Sequence, residues 1–224
     1  MRIICIRPEP GFAATQRNAA AMGLQIGGEP LFRILPVQWT VPDGDYDGVL
    51  LGSANAVRLG GAALQQLTGQ DAYCVGETTG LEAAKAGFNI AAIGSGGLQT
   101  VLDSLSGQNM RLLRLSGADH VPLEPPPGIK VVERVCYASQ AMPMSADLVR
   151  QLGRPAVILL HSAVAASHFA HQCEANAIDR SGLRLAALGP RIAAAAGGGW
   201  AMVECSAKPQ DAALLALAKD MCQG

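Results

Sequence analysis

Aromatic residues make up only 4% of this 224-residue chain: two tryptophans, three tyrosines and four phenylalanines. That leaves little ring-stacking material for a flavin. Charge is sparse too. Charged residues are 16% of the total, and 17 basic against 18 acidic side chains give a net charge of −1, whereas a domain that grips duplex nucleic acid is usually more basic. Six cysteines are present, none in CxxC spacing, and of the four histidines only His171 lies within four residues of one, Cys173. That excludes the usual zinc patterns. No GxSxG, no GxxxxGK[ST] and no GxGxxG follows any strand-like run, so the local signatures of a serine hydrolase, a P-loop and a dinucleotide site are absent. The first ten residues carry Pro8 and Pro10 and read as a strand and turn, not a signal peptide. No apolar run is long enough to span a membrane. Cys5, Cys74 and Cys136 sit inside apolar runs, which suits buried free thiols in a reducing cytoplasm. The expectations are a cytoplasmic protein with no metal, no nucleic acid and no membrane.

What the chain does have is apolar mass in a regular rhythm. Half its residues are hydrophobic. Short apolar runs, each closed by glycine or small polar residues, alternate with helix-like stretches, which predicts parallel sheets covered by helices. One pattern occurs twice. Residues 48–51 lead into Gly52-Ser53-Ala54-Asn55, and residues 156–160 lead into His161-Ser162-Ala163. Each copy is followed by a second strand ending in glycine, before Gly76-Glu77-Thr78-Thr79 and before Gly189-Pro190-Arg191. Two similar α/β lobes with small polar residues at their strand ends imply a cleft between them. The pattern predicts one helix over 54–67 and another over 97–105 capped by Ser95.

The lobes need not be sequential. The strand at 2–6 and its following helix lack partners nearby, while the tail carries three strands that this unit would complete. The expected division is therefore a first lobe from 1–35 and 138–224, an inserted lobe at 37–132, and linkers near 31–37 and 129–137.

Candidate residues follow from position. Thirteen arginines stand against four lysines; arginine suits bidentate capture of carboxylates or phosphates, and an arginine bias also follows from genome composition alone. Arg7 comes directly after the first strand, at the carboxyl end where α/β proteins bind ligands; Arg191 holds an equivalent place. Ser53, Asn55 and Ser162 stand where a strand meets a helix and read either as carboxylate contacts or as helix caps. Thr78 and Thr79 after Gly76 carry the same two readings. Gly94-Ser95-Gly96-Gly97 reads as an anion cradle or as a plain turn. Tyr137 ends the second linker, able to assist a leaving oxygen or simply to pack. His161 reads first as a strand-end packing residue. Asp43, Asp45 and Asp47 form a solvated turn without calcium-loop spacing.

Taken together, Ile6-Arg7-Pro8, Ser53-Ala54-Asn55-Ala56-Val57, Val75-Gly76-Glu77-Thr78-Thr79, Leu115-Ser116-Gly117, Val135-Cys136-Tyr137, Leu160-His161-Ser162, Leu188-Gly189-Pro190 and Lys208-Pro209-Gln210 resemble the uroporphyrinogen-III synthase family in order and spacing over nearly the whole chain. That resemblance implies two flavodoxin-like lobes joined by a two-stranded ladder, one lobe built from both termini, with the active site in the cleft. It implies cyclisation of the linear tetrapyrrole hydroxymethylbilane to uroporphyrinogen III, with loss of water and inversion of ring D. It also implies no cofactor, a monomer, and transient handover of substrate from hydroxymethylbilane synthase. Residue by residue, Tyr137 matches the family tyrosine that assists loss of the hydroxyl. Ser53, Gly76, Ser162 and Gly189 match positions that line the cleft and hold carboxylates, and Arg7 matches the family's arginine at the first strand end. Asn55, Thr78, Thr79, Ser116, Gly117, His161 and Arg191 complete the expected polycarboxylate-binding set.

The chain departs from the family pattern at several points. Gly52 and His161 stand where a threonine often precedes the serine, Arg191 and Ile192 replace threonines after Gly189, and Ala118-Asp119 follow Gly117 in place of an arginine or asparagine. Other readings of the same sequence are a two-lobe small-molecule binding or sensor protein, a flavin-binding flavodoxin-like protein, and a catalytically degenerate synthase-like domain.

Overall fold

A computed structural model describes residues 1–223 of the chain. It divides into two compact units, Met1–Arg33 with Gln140–Gly224, and Ile34–Ser139. The chain starts with β1 (Arg2–Cys5), α1 (Gly11–Ala21), β2 (Ile26–Gly28) and β3 (Phe32–Pro36). It continues through β4 (Gly48–Leu51), α2 (Ala54–Arg58), α3 (Gly61–Gln65), β5 (Asp71–Val75), α4 (Glu77–Lys85), β6 (Asn89–Gly94), α5 (Leu98–Asp103), β7 (Met110–Gly117) and β8 (Ile129–Ala141). The remainder is α6 (Ala146–Leu152), β9 (Ala156–Leu160), α7 (Ala163–Ala175), β10 (Leu183–Ala187), α8 (Pro190–Ala195), β11 (Met202–Cys205) and α9 (Asp211–Gln223).

The first unit holds a five-stranded sheet in the order β11-β10-β9-β1-β2, every pairing parallel. The orphan N-terminal strand is thus a central one: Arg2 pairs with Ala156 and Cys5 with Leu159. Counted within the unit, the order is the 2-1-3-4-5 of a flavodoxin-like sheet, with its topological switch between β1 and β9. β9 is buried along its whole length, as expected for a strand covered on both faces. Ile4, Ile158, Phe169 and Leu185 fill one side, and Ile3, Val157, Leu214 and Leu215 the other. Each such side chain contributes roughly 1.5–3 kcal/mol relative to exposure.

The second unit carries the sheet β3-β8-β7-β4-β5-β6, in which β4–β5, β4–β7, β5–β6 and β7–β8 pair parallel. Its switch lies between β4 and β7, because β5 and β6 extend one way from β4 while β7 and β8 extend the other. Leu50, Leu112 and Leu102 pack on one face, Val49, Leu51 and Leu113 on the other.

Two local expectations are corrected. Residues 54–67 form two five-residue helices rather than one, because Gly60-Gly61 interrupts them. Gly61 has φ +62°, and a β-carbon on Gly60 would stand 2.7 Å from the Ala56 carbonyl oxygen. The Trp39 indole donates to the Gly60 carbonyl at 2.8 Å, which fixes the break. Ser95 does not cap α5; Gly97 holds that position with no side-chain hydrogen bond. The turn at 43–47 is occupied by protein: Arg111 donates to the carbonyls of Asp43 and Asp45 and stacks over Tyr46. Among the described residues no His, Cys, Asp and Glu group is arranged to hold a metal ion, and no helix is long and apolar enough to cross a membrane.

Candidate functional site

The switch point of the second unit opens into a pocket of about 420 Å³. Gly52 and Ser53 enter it from the end of β4, Ser116 and Gly117 from the end of β7, Gly96 and Gly97 from the turn before α5, and Tyr137 from β8. The sequence-expected residues Ser53, Ser116, Gly117 and Tyr137 are therefore brought together. Ser53 has extended backbone and accepts from the Asn55 amide at 3.2 Å. It is a helix cap in place, and its hydroxyl hydrogen stays free to donate elsewhere.

Tyr137 owes its place to an irregularity in β8. The β7–β8 register is even up to Ser116 opposite Val135, then skips Cys136 so that Gly117 pairs with Tyr137. Such a bulge re-aims the side chains beyond it. The extra residue is accommodated because Cys136 is buried, with its thiol 3.5 Å from the Ser116 carbonyl oxygen. The tyrosine ring then lies across Gly117, and the Ala118 amide donates to the Tyr137 carbonyl at 2.9 Å.

Part of the same pocket wall is a polar network that sequence reading did not find: Arg114, Ser116 and His120 all line the pocket. Glu133 on β8 receives Arg114 Nη1 at 3.0 Å, the Ser116 hydroxyl at 3.1 Å and His120 Nε2. Arg114 also donates to the Val121 carbonyl at 2.8 Å, and its Nε is buried without a partner. His120 Nδ1 meets the Gly117 carbonyl at 2.8 Å. Arg114 is 7% exposed, unusual for an arginine and sustained here by its pairing with Glu133. A sequence signal existed, since Arg114 and Ser116 stand beside the leucines of β7, but only the parallel β7–β8 register sets Arg114 opposite Glu133.

The remaining candidates of this unit lie elsewhere. Gly76 caps α4 with φ +77°. Thr78 is exposed on the first turn of α4, whereas Thr79 is 4% exposed and turned into the unit. The Thr79 side chain belongs with the packing, not with the strand-end groups. Asn55 contributes its amide to the Ser53 cap and does not line the pocket.

In the first unit the switch point holds Arg7, just past β1, and His161-Ser162, just past β9. Arg7 and His161 share one partner, Asp211, the first residue of α9. His161 Nε2 is 2.9 Å from Asp211 Oδ1, Thr15 donates its hydroxyl to the same oxygen at 2.9 Å, and Asn18 donates to Oδ2 at 2.8 Å. Arg7 lies 3.8 Å from Asp211 and 3.4 Å from the Thr15 hydroxyl, about one third exposed. His161 therefore has an acidic partner fifty residues away, invisible to local reading. Its Nδ1 is buried with no partner. Burial pulls the His161 pKa below the ordinary histidine value, and the Arg7 charge adds to this against the opposing pull of Asp211. Burial alone would raise Asp211; the donors His161, Asn18 and Thr15 outweigh it and hold the carboxyl below its ordinary value. The pair rests as neutral imidazole and carboxylate.

Ser162 caps α7, accepting from the Ala165 amide at 3.2 Å. Gly189 caps α8 with extended backbone, and Arg191 is exposed on its first turn, with its guanidinium in no ion pair among the described residues.

Comparison with known proteins places the chain in a family. Residues 14–216 match the family model described as uroporphyrinogen-III synthase HemD. No curated protein sequence matches the chain. Among solved structures, uroporphyrinogen-III synthetase from Helicobacter pylori 26695 aligns over 99% of this chain and 100% of its own, at 17% identity and a TM-score of 0.66. That likeness concerns the fold. A Thermus thermophilus uroporphyrinogen III synthase structure aligns over 100% of both chains at 16% identity with a TM-score of 0.41.

Proposed function

The chain belongs to the uroporphyrinogen-III synthase family, and from that premise we propose that it cyclises hydroxymethylbilane to uroporphyrinogen III. The single observation that carries the reading at the level of the site is the pocket that unites Tyr137, Gly117, Ser116 and Ser53 at the switch point of the second unit. Expulsion of the hydroxyl from the ring A hydroxymethyl group is driven by the pyrrole nitrogen lone pair, so the protein need only supply a proton donor to the departing oxygen. Tyr137 is that donor in this reading. It brings a phenol to the pocket wall without a hydrogen-bonded protein partner among the described residues.

The rest of the reaction is a matter of folding and holding the substrate. Bringing the two ends of the bilane together, attacking through the substituted carbon of ring D and rearranging the spiro intermediate asks for proximity more than for strong bases. The substrate's eight carboxylates call for dispersed donors. We assign these to Ser53, Gly76 and Thr78 in the second unit and to Arg7, Ser162, Gly189 and Arg191 in the first. His161 supports Arg7 by binding Asp211. Since water is expelled as the ring closes, the activity is that of a lyase. We take the chain to act as a cytoplasmic monomer, to receive its substrate by transient handover from hydroxymethylbilane synthase, and to fold as two domains, 1–35 with 138–224 and 37–132.

The deciding experiment generates hydroxymethylbilane in situ, adds the purified chain, oxidises the products and separates uroporphyrins I and III. Predominant isomer III supports the reading. Isomer I alone, at the spontaneous rate and with folded protein, overturns it in favour of a binding or degenerate role.

A further inference from the structure

His120 has both ring nitrogens engaged. Nδ1 faces the Gly117 carbonyl at 2.8 Å, and Nε2 faces Glu133 Oε1. A carbonyl and a carboxylate oxygen are both acceptors, so satisfying both calls for hydrogen on each side of the ring. Glu133 is in turn fixed by Arg114, and Arg114 by the Val121 carbonyl. Gly117 and Val121, the two ends of one short segment, are thereby tied to a single carboxylate on β8. Hydrogen bonds involving charged partners are roughly twice as strong as neutral ones, and this set surrounds a segment that has no helix or strand of its own beyond Gly117.

The other face of Gly117 carries the Tyr137 ring. Any shift of this glycine moves the surface on which the phenol rests. We propose that His120 is a positioning residue for the ring closure: with Glu133 it fixes Gly117, and Gly117 sets where the Tyr137 phenol stands. The proposal rests on the assignment of Tyr137 made above. His120 is not a proton donor to substrate, because both its nitrogens are committed to protein.

Three substitutions separate its contacts. His120→Ala removes both. His120→Asn offers an amide nitrogen where Nδ1 stood and restores the bond to Gly117. His120→Gln reaches toward Glu133 but leaves the Gly117 carbonyl without its donor. For His120→Ala, kcat should fall about 10-fold with KM within about twofold, since misplacing a reacting group by about 1 Å costs up to roughly 100-fold. His120→Asn should recover most of the rate and His120→Gln little of it. In the Tyr137→Phe background the same alanine change should cost almost nothing further, the mark of two residues acting through one another.

A second readout does not depend on activity. With 3-fluorotyrosine incorporated, the Tyr137 resonance, assigned by its loss in Tyr137→Phe, should shift in His120→Ala and return in His120→Asn, while those of Tyr46 and Tyr73 stay in place. An unmoved resonance overturns the proposal, as does an equal loss of rate in both backgrounds while the wild type makes isomer III. A wild-type chain that makes no isomer III sinks the synthase reading and with it the catalytic consequence; the fluorine spectrum then still decides whether His120 places the tyrosine.

Discussion

The Tyr137 ring occupies the space that a side chain on Gly117 would need: a β-carbon there would lie 2.6 Å from Cε2, 2.7 Å from Cζ and 3.0 Å from the phenol oxygen. Gly117→Ala therefore displaces the ring. Its buried surroundings make the change mildly destabilising, by about 1–3 kcal/mol for an overpacked site, but its main effect falls on the chemistry. The kcat for isomer III formation should drop on the order of 10- to 100-fold in protein that still melts cooperatively. Retention of full kcat would show that the phenol need not stand there.

The pairing of His161 with Asp211 makes stability depend on pH in a definite direction. Both groups are held below their ordinary values in the folded chain. On acidification the unfolded chain takes up protons first, so the contribution is whole above about pH 6.5 and is lost as pH falls through the histidine and then the carboxylate range. Urea unfolding between about pH 7 and pH 4 should show this decline. His161→Gln should flatten its upper part. An unchanged slope in that variant would remove His161 from the account.

Four of the six cysteines are buried, and burial raises their thiols, Cys5, Cys74 and Cys136 to about 11 and Cys173 to about 12. Thiolate is the reactive form. Native protein should titrate rapidly with a disulfide reagent at the exposed Cys205, more slowly at the half-buried Cys222, and at the other four only after denaturation. Rapid reaction of all six in native buffer would contradict the packing.

Phe169 on α7 is fully buried and stacks on Trp200, with ring centroids 5.6 Å apart. Phe169→Ala should cost about 3–5 kcal/mol of unfolding free energy, read as a fall in the urea midpoint. A loss below about 1 kcal/mol would mean that the site collapses around the smaller side chain.

The β-α rhythm and the parallel sheets were legible because apolar runs of strand length ending in small residues leave few alternatives. That β1 joins the C-terminal strands was legible for the same reason: a strand with no partner nearby must find one far away. Its central place, between β9 and β2, was not, because strand order is set by packing. Where local signals misled, glycine decided the outcome. Gly60-Gly61 divides a stretch whose apolar spacing suits one helix, and Gly97 rather than Ser95 begins α5. At the candidate site, Ser53, Ser116, Gly117 and Tyr137 were readable as strand-end residues and by resemblance. Glu133 and His120 were not, because their meaning depends on which strand lies beside which. Asp211 was hidden likewise: only the packing of α9 against the sheet brings it to His161.

The pairing of Arg2 with Ala156 carries a consequence for biosynthesis. The N-terminal strand is made first, yet its neighbour β9 leaves the ribosome more than a hundred residues later. The intervening unit, Ile34–Ser139, is contiguous and holds every strand of its own sheet apart from the first residues of β3 and the last of β8. Its strands are all made before the second neighbour of β1 exists, so the last sheet to have its full set of strands is the one that began the chain.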